Sequence, residues 1–213
     1  MLWNMLYGFP GEEIEDYAPL PALFALIEHF HPPEYAVPIV VDRFSPHHND
    51  PEGFGIGSYA PYPGFAALFP PDAPVMDLAY HFIGAHRTAL MRDEAMLERL
   101  HAAYDLWRDQ WEAQRPPMLA ALRIGGDAMV IVDTRRIARR KTTPLSPADD
   151  AALRYFEQPR RRDQIDAEMA PRLEELLASR FVVEHEGHYL SVVTRPVGVS
   201  GPRTRRRMSL LVP

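Results

Sequence analysis

Residues 2–12 read LWNMLYGFPGE, and this stretch decides the fold that we predict for the chain. Its first six residues are apolar except for Asn4, which is typical of a short buried strand. Gly8-Phe9-Pro10-Gly11 then turns the chain, and four acidic side chains between residues 12 and 16 mark the first turn of a helix, where they complement the helix dipole. The stretch therefore predicts a strand, a turn and a helix in succession.

A second strand is predicted after this helix. Apolar residues spaced by about 3.6 extend the helix to about residue 30, although Pro19 and Pro21 are expected to delay or kink its beginning. Residues 36–41 are short, apolar and β-branched, which favours a strand. Strand, helix and strand in this order predict a βαβ unit with parallel pairing and a right-handed crossover.

One βαβ unit exposes the outer edges of both its strands, so it does not make a stable domain. The chain also starts inside the first strand. We therefore expect an excerpt of a larger α/β sheet or barrel, or one piece of a complex.

The rest of the chain alternates loops with shorter elements. Residues 42–75 are a loop rich in proline, glycine and aromatic residues, 75–92 are expected to be helical, and 93–115 have the pattern of an amphipathic helix. Gly125-Gly126-Asp127 predicts a hairpin. A helix capped by Ser146, further helices near Asp163 and Pro171, and a hairpin around Glu186-Gly187 then follow in a winged-helix-like order.

Composition excludes several classes of function. The chain of 213 residues has no cysteine, which excludes disulfides, thiol catalysis and cysteine-ligated clusters held by this chain alone. No apolar window is long enough to span a membrane, and no signal peptide is evident, so we expect a cytoplasmic protein. The net charge of −6 combines an acidic part up to residue 117 with a basic remainder, which indicates two units with different surfaces.

Several motifs resemble those of radical SAM enzymes, in particular the proteins that mature ribosomally synthesised peptides (RiPPs) and include cobalamin-dependent C-methyltransferases. The resemblance is carried by residues 3–12 and by Arg43-Phe44-Ser45-Pro46. It continues at His31-Pro32-Pro33 and Phe69-Pro70, and more weakly at residues 78–82 and 132–135. Nearly the whole chain is covered, but it matches only the C-terminal part of those enzymes.

The resemblance implies an α/β fold in which a partial (βα) radical SAM barrel fragment precedes a small α+β winged-helix-like domain. Residues 1–92 are then the barrel part with its long loop, 93–135 a connecting helix and hairpin, 136–195 the winged-helix-like domain and 196–213 a flexible tail. The intact parent enzyme would use S-adenosylmethionine (SAM), a [4Fe-4S] cluster and, in the methyltransferase type, cobalamin. The three-cysteine CxxxCxxC loop of the family is absent, so this chain alone is expected to be inactive and to hold no cofactor.

The resemblance also implies which residues face cofactor and substrate. Arg43 and Ser45 would face the substrate, and no catalytic residue and no metal ligand is assigned. The cofactor-facing residues are those of the first strand and turn: Asn4, Tyr7, Gly8, Phe9, Pro10, Gly11 and Glu12.

Structural alternatives stay open for these residues. The glycines also suit a plain strand-to-helix turn, Asn4 is equally compatible with a solvated position, and Arg43 with a structural ion pair to Asp42 or a nearby acid. The histidines at 29, 31, 47 and 48 are not expected to hold a metal ion. The aromatic residues between 54 and 69 suit either a peptide groove or simple packing.

Three functions follow from these patterns. The first is a C-terminal fragment or split subunit of a peptide-modifying radical SAM enzyme, with a precursor peptide and a separate chain carrying the N-terminal half as partners. The second is a stand-alone module that binds a precursor peptide or a partner enzyme. The third is a winged-helix DNA-binding regulator, which is disfavoured because the predicted third helix carries Glu174 and Glu175, which repel phosphates.

Overall fold

The computed structural model describes residues 2–196. They divide into two compact units, the first comprising Met1–Pro117 with Arg135–Ile137 and the second Met118–Thr134 with Ala138–Pro213, each within the described range. The described residues form a mixed α/β structure with four small sheets and no barrel. The α/β class is thus confirmed, while the tail expected at 196–213 lies, from residue 197 on, outside the described residues.

The first unit contains twelve elements within the described range. Its strands are β1 (Met5–Tyr7), β2 (Ala36–Pro38), β3 (Val41–Asp42), β4 (Tyr59–Pro61) and β5 (His81–Gly84). Its helices are α1 (Ile14–Tyr17), α2 (Leu20–Ile27), α3 (Pro46–Asn49), α4 (Gly64–Leu68), α5 (Val75–Leu78), α6 (Ala89–Arg92) and α7 (Glu94–Glu112).

The predicted βαβ unit is present at the start of this unit. β1 and β2 pair in parallel, with Leu6 opposite Val37. The single helix predicted between them is two helices, because Pro19 and Pro21 occupy the N-terminal positions of α2 and end α1 at Tyr17. The two prolines were predicted to delay or kink the beginning of one helix, and in the structure they divide it in two.

Three expectations for the following residues are wrong. Residues 42–75 are not one continuous loop, because β4 and the short helices α3 and α4 lie within them. The second strand does not run unbroken over 36–41, because β2 ends at Pro38 and β3 belongs to a different sheet. Residues 75–92 are not one helix, because β5 separates α5 from α6. β5 is the central strand of an antiparallel sheet of order β3-β5-β4, and Phe82 on it is fully buried.

Helix α7 supplies the largest surface of the first core, as the amphipathic pattern predicted. Asp93 caps its N-terminus by accepting a hydrogen bond from the Met96 backbone at 2.9 Å. Its buried face packs against side chains from the βαβ unit and α6. The buried members of this cluster are Tyr7, Tyr17, Phe24, Ala36, Leu90, Met96, Leu100, Tyr104 and Trp107. Trp111, predicted on the same face, is half-buried.

The second unit begins with the predicted hairpin. Its strands are β6 (Leu119–Gly125), β7 (Ala128–Asp133), β8 (Thr142–Leu145), β9 (Arg160–Arg161), β10 (Val182–His185) and β11 (His188–Ser191), and its helices are α8 (Pro147–Tyr155) and α9 (Ala170–Ala178). β6, β7 and β8 form an antiparallel sheet, and a second antiparallel sheet has the order β10-β11-β9.

Local sequence signals set the bounds of these elements. The Ser146 hydroxyl accepts from the Asp149 backbone at 3.2 Å and caps α8, as predicted. A short 3-10 turn at Arg162–Gln164 occupies the place of the helix predicted near Asp163. Glu186 and Gly187 both have positive φ, 49° and 74°, which suits the tight turn of the predicted β10–β11 hairpin. Within residues 2–196, no helix is both long and apolar enough to cross a bilayer.

Candidate functional site

The turn after β1 is held by one carboxylate. The Oε2 atom of Glu12 accepts one hydrogen bond from the Phe9 backbone N–H at 2.7 Å and another from the Tyr17 hydroxyl. The Tyr17 hydroxyl in turn accepts from the backbone N–H of Gly8 at 3.1 Å. Glu12 is therefore occupied by the protein's own donors, and its role in this structure is to close the turn.

Burial keeps Tyr17 in its neutral, donating form. Tyr17 is 5% exposed. Desolvation raises its pKa, and the hydrogen bond to the Glu12 carboxylate raises that pKa further. Tyr17 thus remains a hydroxyl donor to Glu12 across the physiological range.

The two glycines of the turn differ in what surrounds them. Both have positive φ, 82° at Gly8 and 91° at Gly11, which favours glycine at each position. A Cβ on Gly8 would lie 3.0 Å from the sulfur of Met91, whereas a Cβ on Gly11 would meet nothing within 4 Å. Gly8 is therefore packed against α6, and Gly11 is the glycine that leaves room for another molecule.

A histidine from a distant segment also contacts the turn. Nε2 of His86 lies 3.0 Å from the carbonyl oxygen of Gly8. The ring of Phe9 lies 6.2 Å from that of His47, which belongs to α3. The turn and α3 are thereby neighbours, so the structure brings the helix that Ser45 caps beside the predicted cofactor-facing segment.

Tyr7 points away from any open surface. It is 5% exposed, its hydroxyl lies 3.1 Å from Nε2 of His101 on α7, and burial raises its pKa. Side chains alternate between the faces of a strand, so Met5 shares the face of Tyr7, while Asn4 and Leu6 lie on the opposite face. Both are exposed, and Leu6 keeps 47% of its accessible surface.

The exposed face of β1 and β2 is mostly apolar. Leu6 lies on it with Asn4, and the neighbouring strand adds Val37, which is 39% exposed. Helices α2 and α7 pack on the other face. This pair of parallel strands is therefore covered on one side and bare on the other.

The outer edge of β1 carries backbone groups that no described strand pairs. The carbonyl of Trp3 accepts from Glu34 at 2.8 Å, Met5 donates to Tyr35 at 2.9 Å, and the carbonyl of Tyr7 accepts from Ile39 at 2.9 Å. Residues 3, 5 and 7 thus use the β2 side. The N–H and C=O groups of the residues between them point the other way, where the described part of the chain places no strand.

Arg43 and Ser45 have partners within the protein. Nε of Arg43 donates to the carbonyl of Ala79, the residue after α5, at 2.6 Å, and the same guanidinium donates to the carbonyl of Met76 within α5. Ser45 caps α3 by accepting from the His48 backbone at 3.2 Å. Both side chains hold local structure, and Arg43 is tied to carbonyl groups rather than to an acid.

The acid beside Arg43 pairs with a histidine instead. Asp42 Oδ1 lies 2.6 Å from Nδ1 of His81, directly across the β3–β5 pairing. Sequence reasoning missed this pair, as it missed Tyr17, His86 and Met91 around the turn. Only Tyr17 is close enough in sequence to have been found, because it lies five residues after Glu12 and a helix begins between them.

The histidines of this unit make aromatic contacts. The rings of His47 and Phe54 are 4.6 Å apart, and those of His48 and Phe82 are 5.4 Å apart. In the part of the chain that the structure describes, no group of three or more His, Cys, Asp or Glu side chains could hold a metal ion.

Comparison with known proteins adds no relative. No family model, no curated protein and no solved structure matches this chain. The resemblance to radical SAM enzymes therefore stays a prediction from the motifs.

Proposed function

We propose that this chain supplies the C-terminal part of a radical SAM enzyme that modifies ribosomally synthesised peptides in the cytoplasm. The rest of the barrel, with its three-cysteine loop, would come from another polypeptide segment. A precursor peptide is the substrate of the complete enzyme, and C-methylation is its reaction if the cobalamin-dependent type applies.

The bare edge and face of β1 are the observation that carries this proposal. Parallel sheets occur almost only with both faces covered, whereas β1 and β2 have helices on one face and exposed Leu6 and Val37 on the other. In a (βα) barrel, helices cover the outside of the strands, and the opposite face lines the interior. The exposed face is the one that would line that interior.

This orientation reassigns the predicted cofactor-facing residues. Asn4 and Gly11 remain candidates to face SAM, because both are open to solvent. Asn4 lies on the bare face, and a Cβ at Gly11 meets nothing within 4 Å. Tyr7, Gly8 and Glu12 instead contact the protein's own groups and stabilise the turn. Phe9 and Pro10 are half-buried beside them.

The chain does not fit an iron–sulfur cluster, because it has no cysteine to ligate the iron. No residue is assigned to cobalamin either. In the proposed enzyme, the other segment would hold the cluster and the radical chemistry would take place there, while this chain would contribute the strand edge, the turn and part of the surrounding wall.

The test is complementation with a radical SAM N-terminal half that contains the CxxxCxxC loop. The half is reconstituted anaerobically, and SAM cleavage to 5′-deoxyadenosine is measured with and without this chain. We expect the two parts to copurify and cleavage to rise at least tenfold in the complex. Cleavage that is unchanged by the chain, with no complex formed, would contradict the proposal.

A stand-alone peptide-binding module is the second candidate. The order α8, β9, 3-10 turn, α9, β10 and β11, with strand order β10-β11-β9, supports a winged-helix-like unit, and such folds can accept a peptide as an added strand. DNA binding has less support. Among the arginines of the 160–162 run, Arg161 and Arg162 pair with Asp163 and Glu174, and the guanidinium of Arg160 lies over the Tyr155 ring.

A further inference from the structure

A cavity within the second unit is not used by the proposed function. Its volume is about 250 Å³, and it lies between strands β7 and β8, the loop that joins them and the connection from α9 to β10. Its lining residues are Asp133, Arg139, Arg140, Thr143, Ser179 and Phe181.

The two arginines of this cavity differ from the other arginines of the unit. Arg139 and Arg140 are exposed, and neither forms an ion pair with any carboxylate among residues 2–196. Most other arginines there are paired with acids. The paired ones are Arg123, Arg154, Arg161, Arg162, Arg172 and Arg195. Two positive charges are therefore left to face the cavity.

The other polar groups of the cavity fit the same charge. Thr143 and Ser179 add two hydroxyl groups, which donate hydrogen bonds readily to an anion. Asp133 is the one acid in the lining, but it is 2% exposed and is engaged within the protein. Its charge therefore opposes an anion from a buried position, while both arginines of the lining are exposed.

The size of the cavity limits what it holds. Pockets for drug-sized molecules have volumes of about 300–1,000 Å³, so a cavity of about 250 Å³ suits one small charged group. Guanidinium groups bind the planar oxygen pairs of carboxylate and phosphate through two parallel hydrogen bonds.

We propose that this cavity binds a single oxyanion, either a phosphate or a carboxylate group, through Arg139 and Arg140 with Thr143 and Ser179 as additional donors. The assignment does not depend on the radical SAM proposal, because it rests on the charges and hydroxyls of the second unit alone. The source of the oxyanion is either free phosphate or an acidic side chain of a peptide.

The experiment titrates the full chain with three probes at low ionic strength. The probes are inorganic phosphate, a capped glutamate-rich peptide and a capped lysine-rich peptide of equal length, and the readout is the amide NMR shifts of Thr143 and Ser179. We expect saturable shifts with phosphate, with the glutamate peptide or with both, and none with the lysine peptide. Phosphate alone would identify a free-phosphate site, and a tighter glutamate peptide would identify a peptide site.

Two double variants of equal charge separate a site from general electrostatics. Arg139→Ala with Arg140→Ala removes the cavity arginines, and we expect at least a tenfold weaker binding. Arg123→Ala with Arg161→Ala removes two exposed arginines outside the cavity, and we expect a change of less than twofold. No saturable shift with either anionic probe, or equal loss in both double variants, would overturn the assignment.

Discussion

The hydroxyl of Tyr17 donates a hydrogen bond to the carboxylate of Glu12 while it accepts one from the backbone N–H of Gly8. One buried phenol thus joins α1 to both ends of the turn. We predict that Tyr17→Phe lowers the free energy of unfolding of the first unit by about 1–3 kcal/mol, because it leaves the Gly8 donor and a Glu12 oxygen without this partner.

Tryptophan fluorescence during urea unfolding measures this change, because all three tryptophans of the chain lie in the first unit. The matched control is Tyr35→Phe, at a tyrosine that is 61% exposed. We expect the control to change stability by less than about 0.5 kcal/mol. Equal effects of the two substitutions would show that the Tyr17 hydroxyl does not stabilise the turn.

The two glycines of the turn give a second prediction. Gly11→Ala introduces a side chain at positive φ, which costs about 1–2 kcal/mol. Gly8→Ala has the same backbone penalty and also brings a Cβ to 3.0 Å from the sulfur of Met91. Because the flexible Met91 side chain relieves part of this contact, we expect an additional loss of about 1 kcal/mol.

Urea unfolding of the single variants and of Gly8→Ala combined with Met91→Ala tests the cause. In the combined variant, the smaller side chain at residue 91 removes the close contact. Once the cost of Met91→Ala alone is subtracted, we expect the free energy of unfolding to recover the additional loss seen at Gly8. A Gly11→Ala variant that is less stable than Gly8→Ala would contradict this account.

A buried carboxylate that pairs with an exposed arginine in the first unit gives a third prediction. Glu28 is fully buried, and Oε2 accepts from Nε of Arg136 at 2.9 Å. Arg136→Ala would leave a buried carboxylate without its counter-charge, so we expect a loss of about 3 kcal/mol in the unfolding free energy. Arg108→Ala, which removes an exposed pair with Asp105, should cost less than about 1 kcal/mol. The backbone N–H of residue 136 also donates to Oε1 of Glu28, and a small effect at Arg136 would show that this hydrogen bond satisfies the carboxylate without the guanidinium.

Acid stability of the second unit gives a fourth prediction. Burial raises the pKa of Asp150, but hydrogen bonds from Arg154 and Arg195 outweigh burial, and the net pKa lies below its usual value. The ionised form is therefore favoured by folding. Its stabilisation is present above the unfolded pKa of about 3.9 and is lost as the pH falls through the lower folded value.

Circular dichroism of urea unfolding between pH 2 and pH 6 measures this dependence. Asp150→Asn should flatten the decline of stability below about pH 4, because the titrating carboxylate is gone. Asp127→Asn, at a fully exposed acid, should leave the decline unchanged. An identical pH dependence in wild type and Asp150→Asn would exclude this carboxylate as a contributor.

The sequence predicted those parts of the fold that depend on local signals. Ser146 as a helix cap, the apolar face of α7 and the glycine turns of both hairpins were all readable, because each depends on residues within a few positions. The division of residues 36–42 between two sheets could not be predicted, because β3 forms only by pairing with β5, about 40 residues later in the chain. The same pairing makes a strand of residues 81–84, which lie within the segment 75–92 that was predicted to be helical.

The sequence predicted which segment forms the candidate site, but it did not predict which distant residues surround that segment. The motif located the turn at residues 8–12, but the distances to His86, Met91 and His47 come from folding of distant segments. Arg43 is an example. Its guanidinium donates to the backbone carbonyl groups of residues 76 and 79, and a sequence cannot reveal such partners because every residue type has a backbone carbonyl.

The exchange rates of the Asn4 and Leu6 amides test the central claim most directly. In the chain alone, residue-resolved hydrogen exchange should find both amides fast and the Met5 amide, which donates to Tyr35, protected. Addition of the N-terminal half should protect Asn4 and Leu6. Protection of these two amides in the isolated monomer equal to that of Met5 would mean that the edge of β1 is already paired, and would contradict the account.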